Sequence, residues 1–214
     1  MAHTQISTLE KPSRAVERSY PLQSKLYGAT QWAFLFGRRR LIRSLPFPIE
    51  KQAKILEVGC GAGHNLQQLA RWFPNAVLTG MDASSDMLGK ARQATAEFRN
   101  RVELVQEPYG QGSEHFNEKL DAILFSYSLT LANPHWKALI RQARQDLRPG
   151  GAIAVVDFHN SRFPWFKAQM AGHHVQMDGR LLPFLHKEFG TLTSEVRPAY
   201  AGLWEYFSFV GRKE

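Results

Sequence analysis

Three glycines at alternate positions, Gly59, Gly61 and Gly63, and an aspartate further along the chain are the residues that most clearly suggest chemistry. Glycines at this spacing let a backbone turn approach a ligand closely and direct amide groups at it from the start of a helix. Asp82 follows Gly59 by 23 residues, at the end of the next apolar segment, where a carboxylate can accept both hydroxyls of a ribose. The spacing therefore predicts a nucleoside-binding site.

The same glycine loop excludes two other nucleotide-binding patterns. A dinucleotide fingerprint, G-x-G-x-x-G, requires a glycine where this chain has His64, counted from Gly59, or Leu66, counted from Gly61. The pattern of nucleoside triphosphatases, G-x-x-x-x-G-K-[ST], is absent from the sequence. We therefore expect a nucleoside ligand without a pyrophosphate.

Alternating strands and helices must hold the loop and the aspartate in position, because apolar residues recur with strand and helix periods after residue 54. The predicted strands are Lys54 to Val58, Ala76 to Met81, Arg101 to Gln106, Asp121 to Ser126 and Ala152 to Asp157, followed by a hairpin of Glu195 to Tyr200 with Tyr206 to Val210. The predicted helices are His64 to Phe73, Ser85 to Phe98, capped by Ser84 or Ser85, and Pro134 to Leu147, capped by Asn133, with a turn at Pro149 to Gly151. This order predicts an α/β fold: a doubly wound, Rossmann-like sheet of seven strands that ends in an antiparallel hairpin and binds ligands at its carboxyl edge.

Length and composition indicate one globular domain. The chain of 214 residues is 43% apolar and 21% charged, close to globular averages, which argues against a disordered or fibrous protein. Its apolar runs are far shorter than the ~20 residues that span a bilayer. The single cysteine, Cys60, forms no internal disulfide, and the first residues lack the apolar core of a signal segment. We therefore expect a cytoplasmic protein.

The net charge of +8 is concentrated at the N-terminus. Residues 1–54 carry ten basic and three acidic side chains, whereas residues 55–214 are nearly neutral. In the densest stretch, residues 26–48, aromatic and apolar side chains directly precede four arginines. The arginines are Arg38, Arg39, Arg40 and Arg43. A helix with solvated arginines, attachment to an anionic membrane and attachment to a nucleic acid all fit this pattern, because charge alone does not choose among them.

The motifs around the glycine loop resemble those of the class I S-adenosylmethionine-dependent methyltransferases. The matching stretches are ILEVGCGAGHN (residues 55–65), MDASSDML (residues 81–88), LDAILFSYSL (residues 120–129) and LRPGG (residues 147–151). The resemblance implies S-adenosylmethionine as the cofactor, with its methionyl part against the glycine loop and its ribose on Asp82. It also implies that Glu57 orients the loop and that Met87 covers the adenine. The expected cofactor-binding residues are Glu57, Gly59, Gly61, Gly63, Asn65, Asp82, Ala83, Met87, Glu107 and Ser126.

Methyl transfer also requires groups that align and deprotonate a nucleophile, and such side chains follow the fourth and fifth predicted strands. They are Ser126, Tyr127, Ser128, Asp157, His159, His173 and His174. Each of them, taken singly, is also compatible with an ordinary core or surface role. No metal site is expected, because no close pair of carboxylates stands near this edge of the sheet.

A narrower resemblance concerns the acceptor. The stretches LYGATQWAFLFGRRRLI (residues 26–42), FSYSLTL (residues 125–131), VDFH (residues 156–159) and GHHV (residues 172–175) are similar to the N-methyltransferases that build betaine lipids, and to related phospholipid N-methyltransferases. This similarity implies methylation of the amine of a lipid headgroup. Tyr27 would then border the substrate entrance. The groups that position or deprotonate the amine would be Tyr127, His159 and His174.

These observations define the expected organisation and partners. Residues 1–53 form a basic, aromatic, helical extension on the substrate or membrane side, and residues 54–214 form the methyltransferase domain with a helical insert at residues 158–190. The expected partners are a lipid or other small-molecule amine and an anionic surface at the inner membrane face. No nucleic acid is expected, because the Asn-Pro-Pro-aromatic motif of base amino-group methylation is absent. Two alternatives stay open: a methyltransferase of a soluble amine or phenol, and a cofactor-binding protein whose basic arm holds RNA or a protein.

Overall fold

Strands and helices alternate through residues 36–110 and 116–214, the part of the chain that this computed structural model describes. The strands are β1 (Lys54–Val58), β2 (Val77–Met81), β3 (Val102–Val105), β4 (Leu120–Ser126), β5 (Leu147–Asn160), β6 (Gly190–Ala199) and β7 (Trp204–Arg212). The helices are α1 (Arg38–Arg43), α2 (His64–Trp72), α3 (Ser85–Ala94), α4 (Trp136–Asp146), α5 (Pro164–Gly172) and α6 (Leu181–Glu188). Three 3₁₀ turns cover Ala96–Phe98, Thr130–Ala132 and Tyr200–Gly202.

One seven-stranded sheet contains all of these strands, in the order β3-β2-β1-β4-β5-β7-β6. The first five strands are parallel, and β7 runs antiparallel between β5 and β6. The predicted fold, a doubly wound Rossmann-like sheet with a C-terminal antiparallel hairpin, is confirmed. The strand order reverses between β1 and β4, so a crevice for ligands opens where these two strands end.

The core lies in the centre of this sheet. β4 is buried along its whole length, and the inner part of β5 is equally apolar because helices cover both faces of a parallel sheet. Helix α2 packs on the sheet through Leu66 and Leu69, which are spaced one turn apart and fully buried. This packing holds the loops at the carboxyl edge on a rigid base.

Several predicted boundaries differ from the observed ones. The stretch Pro149 to Gly151, predicted as a turn, belongs to β5, because the Gly150 amide donates to the Lys213 carbonyl and the Lys213 amide donates to the Gly151 carbonyl. Helix α4 begins at Trp136 rather than Pro134, because the 3₁₀ turn before it is tied to β5. Helix α3 ends at Ala94, where the hydroxyl of Thr95 donates to the Ala91 carbonyl.

The insert and the hairpin also have different limits. The helical insert begins after Asn160 and ends before Gly190, since β5 and β6 extend into the range predicted for it.

On the N-terminal side, α1 packs against the domain through Leu41 and Ile42, each 2% exposed. Tyr27 and the rest of residues 1–35 lie outside the described residues.

Candidate functional site

The glycine loop connects β1 to α2 and is tied to β2. The amides of Gly59 and Cys60 both donate to the Met81 carbonyl, at 2.8 and 3.0 Å. Gly59, Gly61 and Gly63 all have left-handed backbone angles, with φ of 70°, 53° and 78°. Glycine adopts such angles without strain, so the sequence folds into a tight loop at this point.

The three glycines differ in what surrounds them. A Cβ on Gly59 would lie 2.8 Å from Cβ of Ser128, and one on Gly63 would lie 2.9 Å from Cα of Ala91 in α3. Both positions therefore need glycine for close packing within the protein. A Cβ on Gly61 would meet no described atom within 4 Å. Gly61 is the member of the loop that faces open space, which suits a backbone that contacts a ligand.

The side chains of Glu57 and Asn65 form a buried hydrogen-bonded pair at the two ends of the glycine loop. Asn65 Nδ2 donates to Glu57 Oε1 at 2.7 Å, and the two residues are 4% and 1% exposed. Burial raises the pKa of Glu57 to about 8, although the hydrogen bond from Asn65 and the charge of Arg38 lower it. Glu57 Oε2 and Asn65 Oδ1 are buried without a hydrogen-bond partner.

Two serines from β4 and the loop after it bring further polar atoms to the same place. Val58 pairs with Phe125 in the sheet, so the glycine loop and Ser126 leave their strands side by side. The hydroxyl oxygens of Ser126 and Ser128 are buried and have no hydrogen-bond partner. Buried polar atoms are rarely left unpaired, so these atoms are suited to hydrogen bonds with a bound molecule.

Asp82 joins the glycine loop to α3. Its two carboxylate oxygens accept from the amides of Gly61, at 2.8 Å, and Ser84, at 2.9 Å. Each carboxylate oxygen has a further lone pair, so Asp82 can hold the loop and still accept ribose hydroxyls. The oxygen of Ser84 accepts from the amide of Met87, as predicted for a helix cap.

The remaining predicted cofactor residues are less enclosed. Ala83 is exposed beside Asp82, and Met87 is half-buried in the first turn of α3. Glu107 is exposed in the turn after β3. The structure therefore brings Glu57, Asn65, Ser126 and the glycine loop into one buried group. It places Ala83, Met87 and Glu107 at the open side of the crevice, on the elements that follow β2 and β3.

On the other side of β4, Tyr127 adopts a left-handed conformation with φ of 56° and is 7% exposed. Its hydroxyl donates to the Phe36 carbonyl at 3.0 Å. Burial and the charge of Asp157 raise the pKa of Tyr127 well above its usual value, so the phenol stays protonated. Tyr127 therefore links the loop after β4 to the segment before α1.

Asp157 organises the loop that carries Tyr127. It is completely buried and accepts from the amides of Leu129, at 3.0 Å, and Thr130, at 3.1 Å, and from the Thr130 hydroxyl at 2.5 Å. Burial raises its pKa to about 6, and these hydrogen bonds act in the opposite direction. Because all of these donors belong to its own chain, Asp157 supports the site rather than facing a ligand.

The two predicted histidines have different surroundings. His159 is half-buried near the end of β5, and its Nδ1 is buried without a hydrogen-bond partner. Burial lowers the pKa of His159, so the imidazole is neutral near pH 7. His174 is exposed in the turn after α5, with φ of 62°. No described contact joins any two of Tyr127, His159 and His174, since the ring of Tyr127 packs on Phe158 whereas that of His159 packs on Phe207.

Arg38 is a site residue that the sequence predictions do not single out. Its guanidinium lies over the ring of Tyr127, 5.6 Å from the centroid, and its Nε is buried without a hydrogen-bond partner. Four arginines stand in the same segment, and nothing in their types distinguishes this one. The available signal is Gly37, which precedes it and has φ of 82°.

Residues 36–110 and 116–214 contain neither a cluster of metal-binding side chains nor a helix that could span a membrane. No group of three or more His, Cys, Asp or Glu side chains within those ranges is arranged to hold a metal ion. Likewise, the helices of this described part are all too short or too polar to cross a bilayer.

Comparison with known proteins agrees with this geometry. The fold is the Rossmann-like fold of methyltransferases, as in the 1,6-didemethyltoxoflavin-N1-methyltransferase of Burkholderia thailandensis, with a TM-score of 0.71, 18% identity, and coverage of 98% of this chain and 93% of that one. The family described as "Methyltransferase domain" matches residues 55–151. Residues 55–151 are therefore the core of a class I S-adenosylmethionine-dependent methyltransferase domain.

Curated relatives carry several different activities. A carboxy-S-adenosyl-L-methionine synthase of Trichodesmium erythraeum is 29% identical over 73% of this chain and 58% of its own length. A trans-aconitate 2-methyltransferase of Deinococcus radiodurans is 30% identical over 67% of this chain and 48% of its own length. The chain thus spans about half the length of these relatives, and they do not agree on a substrate.

Proposed function

We propose that this protein transfers a methyl group from S-adenosylmethionine to a nitrogen of a small-molecule acceptor. The observation that carries the cofactor half of the proposal is the group of buried, unpartnered polar atoms beside the glycine loop. These atoms are Glu57 Oε2, Asn65 Oδ1, Ser126 Oγ and Ser128 Oγ. A ligand with several hydrogen-bond donors would satisfy them, and the amino acid part of S-adenosylmethionine has such donors.

Different residues of the crevice would bind different parts of that cofactor. The open face of Gly61 lets the ligand approach the loop backbone, and the remaining lone pairs of Asp82 accept ribose hydroxyls. We assign the adenine to Met87 and Glu107, on the open side. When bound, S-adenosylmethionine supplies an electrophilic methyl group, so the chain itself has mainly to align and deprotonate the acceptor.

Two groups at the ends of β4 and β5 fit the acceptor half. His159 is neutral near pH 7 because burial lowers its pKa, so its imidazole can take a proton from an amine. Tyr127 keeps its proton and donates to the Phe36 carbonyl, which makes it a wall of the site rather than a base. The B. thailandensis protein is named as an N1-methyltransferase, which supports a nitrogen acceptor. His174, exposed in its turn, remains a predicted contributor.

The test combines binding and turnover. Calorimetry with S-adenosylhomocysteine measures cofactor binding, and incubation with methyl-labelled S-adenosylmethionine and fractionated cell extract identifies the labelled product. We expect binding together with label in an amine-containing fraction. Binding without label in any fraction would support the alternative of a non-catalytic cofactor-binding protein. Absence of binding would refute the proposal.

For the acceptor class, we propose the amine of a lipid headgroup. The support is the basic N-terminal quarter and, in the described part, the outer surface of α1. Arg39 and Arg43 are exposed there, and Phe36 before them is 39% exposed. Such a surface suits an anionic membrane, because each basic side chain near it adds roughly 1 kcal/mol.

Flotation with vesicles of anionic phospholipid separates this acceptor from a soluble amine or phenol. We expect binding that decreases with salt and that is lost when Arg39 and Arg43 are both changed to Gln. The matched control changes Lys90 and Arg92, two exposed basic residues of α3, to Gln and should bind as the wild type does. Label only in polar amines, or in RNA, would refute the lipid acceptor while leaving methyl transfer intact.

A further inference from the structure

Helix α5 presents an uncharged face to solvent. Four of its exposed residues recur at i, i+3, i+4 and i+7 and therefore share one side of the helix. They are Trp165, Ala168, Gln169 and Gly172. Trp165 is 59% exposed, more than any other large apolar side chain in the described part of the chain. Because tryptophan is on average highly buried in folded proteins, this position needs an explanation.

Contacts with the end of the sheet hold α5 in place. Phe166, on the inner side of the helix, is 6% exposed. The Lys167 ammonium donates to Asn160 Oδ1 at 3.0 Å. The hydroxyl of Ser161, just before the helix, donates to the Leu203 carbonyl at 2.7 Å. The exposed tryptophan therefore belongs to a helix that is fixed at its base.

The surroundings of Trp165 combine apolar rings with positive charge. Its ring lies 6.3 Å from that of Phe163, measured between centroids. The Arg162 guanidinium lies over the Phe163 ring, 4.9 Å from the centroid. Residues 158–177 contain one arginine and one lysine and no aspartate or glutamate. An anionic lipid surface attracts such a segment, and the ring of a tryptophan is apolar at one end and polar at the other, as the headgroup region is.

α5 and the exposed ring of Phe36 lie at the same end of the sheet. β7 begins at Trp204 at the carboxyl edge, because it runs antiparallel to β5. The Phe36 ring lies 6.1 Å from the Trp204 ring, and the preceding residue, Leu203, is the one that accepts from Ser161 before α5. Both exposed aromatic side chains are thus at the edge where His159 ends β5.

The size of the uncharged face favours a bilayer over a protein partner. α5 has nine residues, so the face is only about 13 Å long. A stable protein interface covers about 800 Å² on each partner, which is far more than one side of such a helix provides. Insertion into lipid needs no such area, because a bilayer accepts a single aromatic side chain wherever it meets one.

We propose that α5 docks the protein on an anionic lipid bilayer, with Trp165 inserted at headgroup level and Arg162 beside the lipid phosphates. The carboxyl edge of the sheet then faces the bilayer, so a lipid amine reaches the side of His159 from the membrane. The inference rests on the lipid acceptor of the proposed function. It adds insertion of an apolar side chain to the charge attraction of α1.

Brominated lipids test whether Trp165 enters the bilayer, because bromine on an acyl chain quenches tryptophan fluorescence only at short range. The vesicles contain phosphatidylglycerol with either dioleoyl phosphatidylcholine or its dibrominated form. We expect the brominated vesicles to quench the wild type. Trp165→Phe keeps an apolar ring, so it should bind within about threefold of the wild type and lose most of the quenching.

Trp165→Ala tests how much the insertion contributes to binding. We expect its vesicle affinity to fall by about 30-fold, and by the same factor at low and at high salt, because the lost term is apolar. The loss in the variant that changes Arg39 and Arg43 to Gln should instead shrink as salt rises. Leu192→Ala is the matched control and should bind as the wild type does, since Leu192 is 42% exposed but lies near the start of β6, at the opposite edge.

The inference is wrong if Trp165→Phe is quenched as strongly as the wild type, or if Trp165→Ala binds vesicles as tightly as Leu192→Ala. Either result leaves the lipid acceptor and the role of α1 intact. It is also wrong if Trp165→Ala separates a dimer in sedimentation velocity and keeps its vesicle affinity, because α5 would then join two copies of the chain. Failure of the wild type to bind the vesicles would instead refute the lipid acceptor, and this inference with it. Thermal unfolding of each variant shows whether it is folded.

Discussion

Changing Gly61 to alanine should separate ligand binding from stability. The position has φ of 53°, and a Cβ there would meet no described atom within 4 Å, so the new methyl group has space in the protein itself. The cost to folding is then only the strain of a left-handed L residue, roughly 1 to 2 kcal/mol. The methyl group would, however, project into the crevice where the cofactor must approach the loop backbone.

The expected result is a variant with a modestly lower free energy of unfolding and a much lower affinity for S-adenosylhomocysteine. A displacement of about 1 Å at a reacting or binding group can cost about 100-fold, so we expect a loss of about 10- to 100-fold for Gly61→Ala. Urea denaturation measures the first quantity, and calorimetry measures the second. Both measurements use the same protein preparation, so reduced binding can be corrected for any unfolded fraction.

Two other glycines serve as controls. Gly150 has φ of 71° and also has no described atom within 4 Å of its Cβ position, but it lies at the start of β5, opposite the crevice. Gly150→Ala should lose similar stability and keep wild-type affinity. Gly63→Ala adds contact with Ala91 to the strain, so it should lose about 2 to 4 kcal/mol. If Gly61→Ala binds S-adenosylhomocysteine as tightly as Gly150→Ala does, the cofactor does not lie against this loop.

Three further substitutions test buried polar groups. Glu57 has a pKa of about 8 in the folded protein. The stability that its bound proton provides is therefore fully present below the unfolded pKa near 4.5 and is lost as the pH rises through 8. Glu57→Gln should reduce the fall in unfolding free energy between pH 6.5 and 8 by about 1 to 2 kcal/mol. Asp157→Asn places an amide NH2 group against the donors that the carboxylate accepts from, and it should lower the free energy of unfolding in urea by about 2 to 4 kcal/mol. Thr130→Val should cost less, and equal costs would contradict this interpretation. Tyr109→Phe removes a 2.6 Å hydrogen bond to buried Asp146 and should lower stability by about 1 to 2 kcal/mol without changing the affinity for S-adenosylhomocysteine.

The proposed cofactor half of the site is predictable from sequence because its contacts are local. The range predicted for β1, Lys54 to Val58, is the observed one, and the loop and α2 follow it directly. Apolar periodicity and glycine spacing both act within about 30 residues, so each can be read from a short window. The contact of Asp82 with Gly61 spans 21 residues, within a single strand-helix-strand unit.

The proposed acceptor half is harder to predict because its contacts join distant parts of the chain. Tyr127 contacts the Phe36 carbonyl across 91 residues, and Asp157 holds Thr130 across 27. The arginines near the N-terminus are alike in sequence, so only the path of the backbone at Gly37 decides that Arg38 is half-buried and its neighbours are exposed. Predicting these residues requires the tertiary structure.

Because the proposed cofactor and acceptor residues are held by different contacts, the acceptor could vary while the cofactor stays the same. The loop after β1 and Asp82 bind each other, so a substitution there disturbs the fold of the loop as well as any ligand. Two parts of the proposed acceptor site do not depend on the glycine loop. The first is the contact of Tyr127 with Phe36, in a loop that Asp157 holds, and the second is the imidazole of His159, which the sheet holds. Substitutions at these positions can therefore change the shape and charge that an acceptor meets without altering the cofactor loop. For that reason the acceptor must be identified from products, whereas S-adenosylhomocysteine binding tests the loop alone.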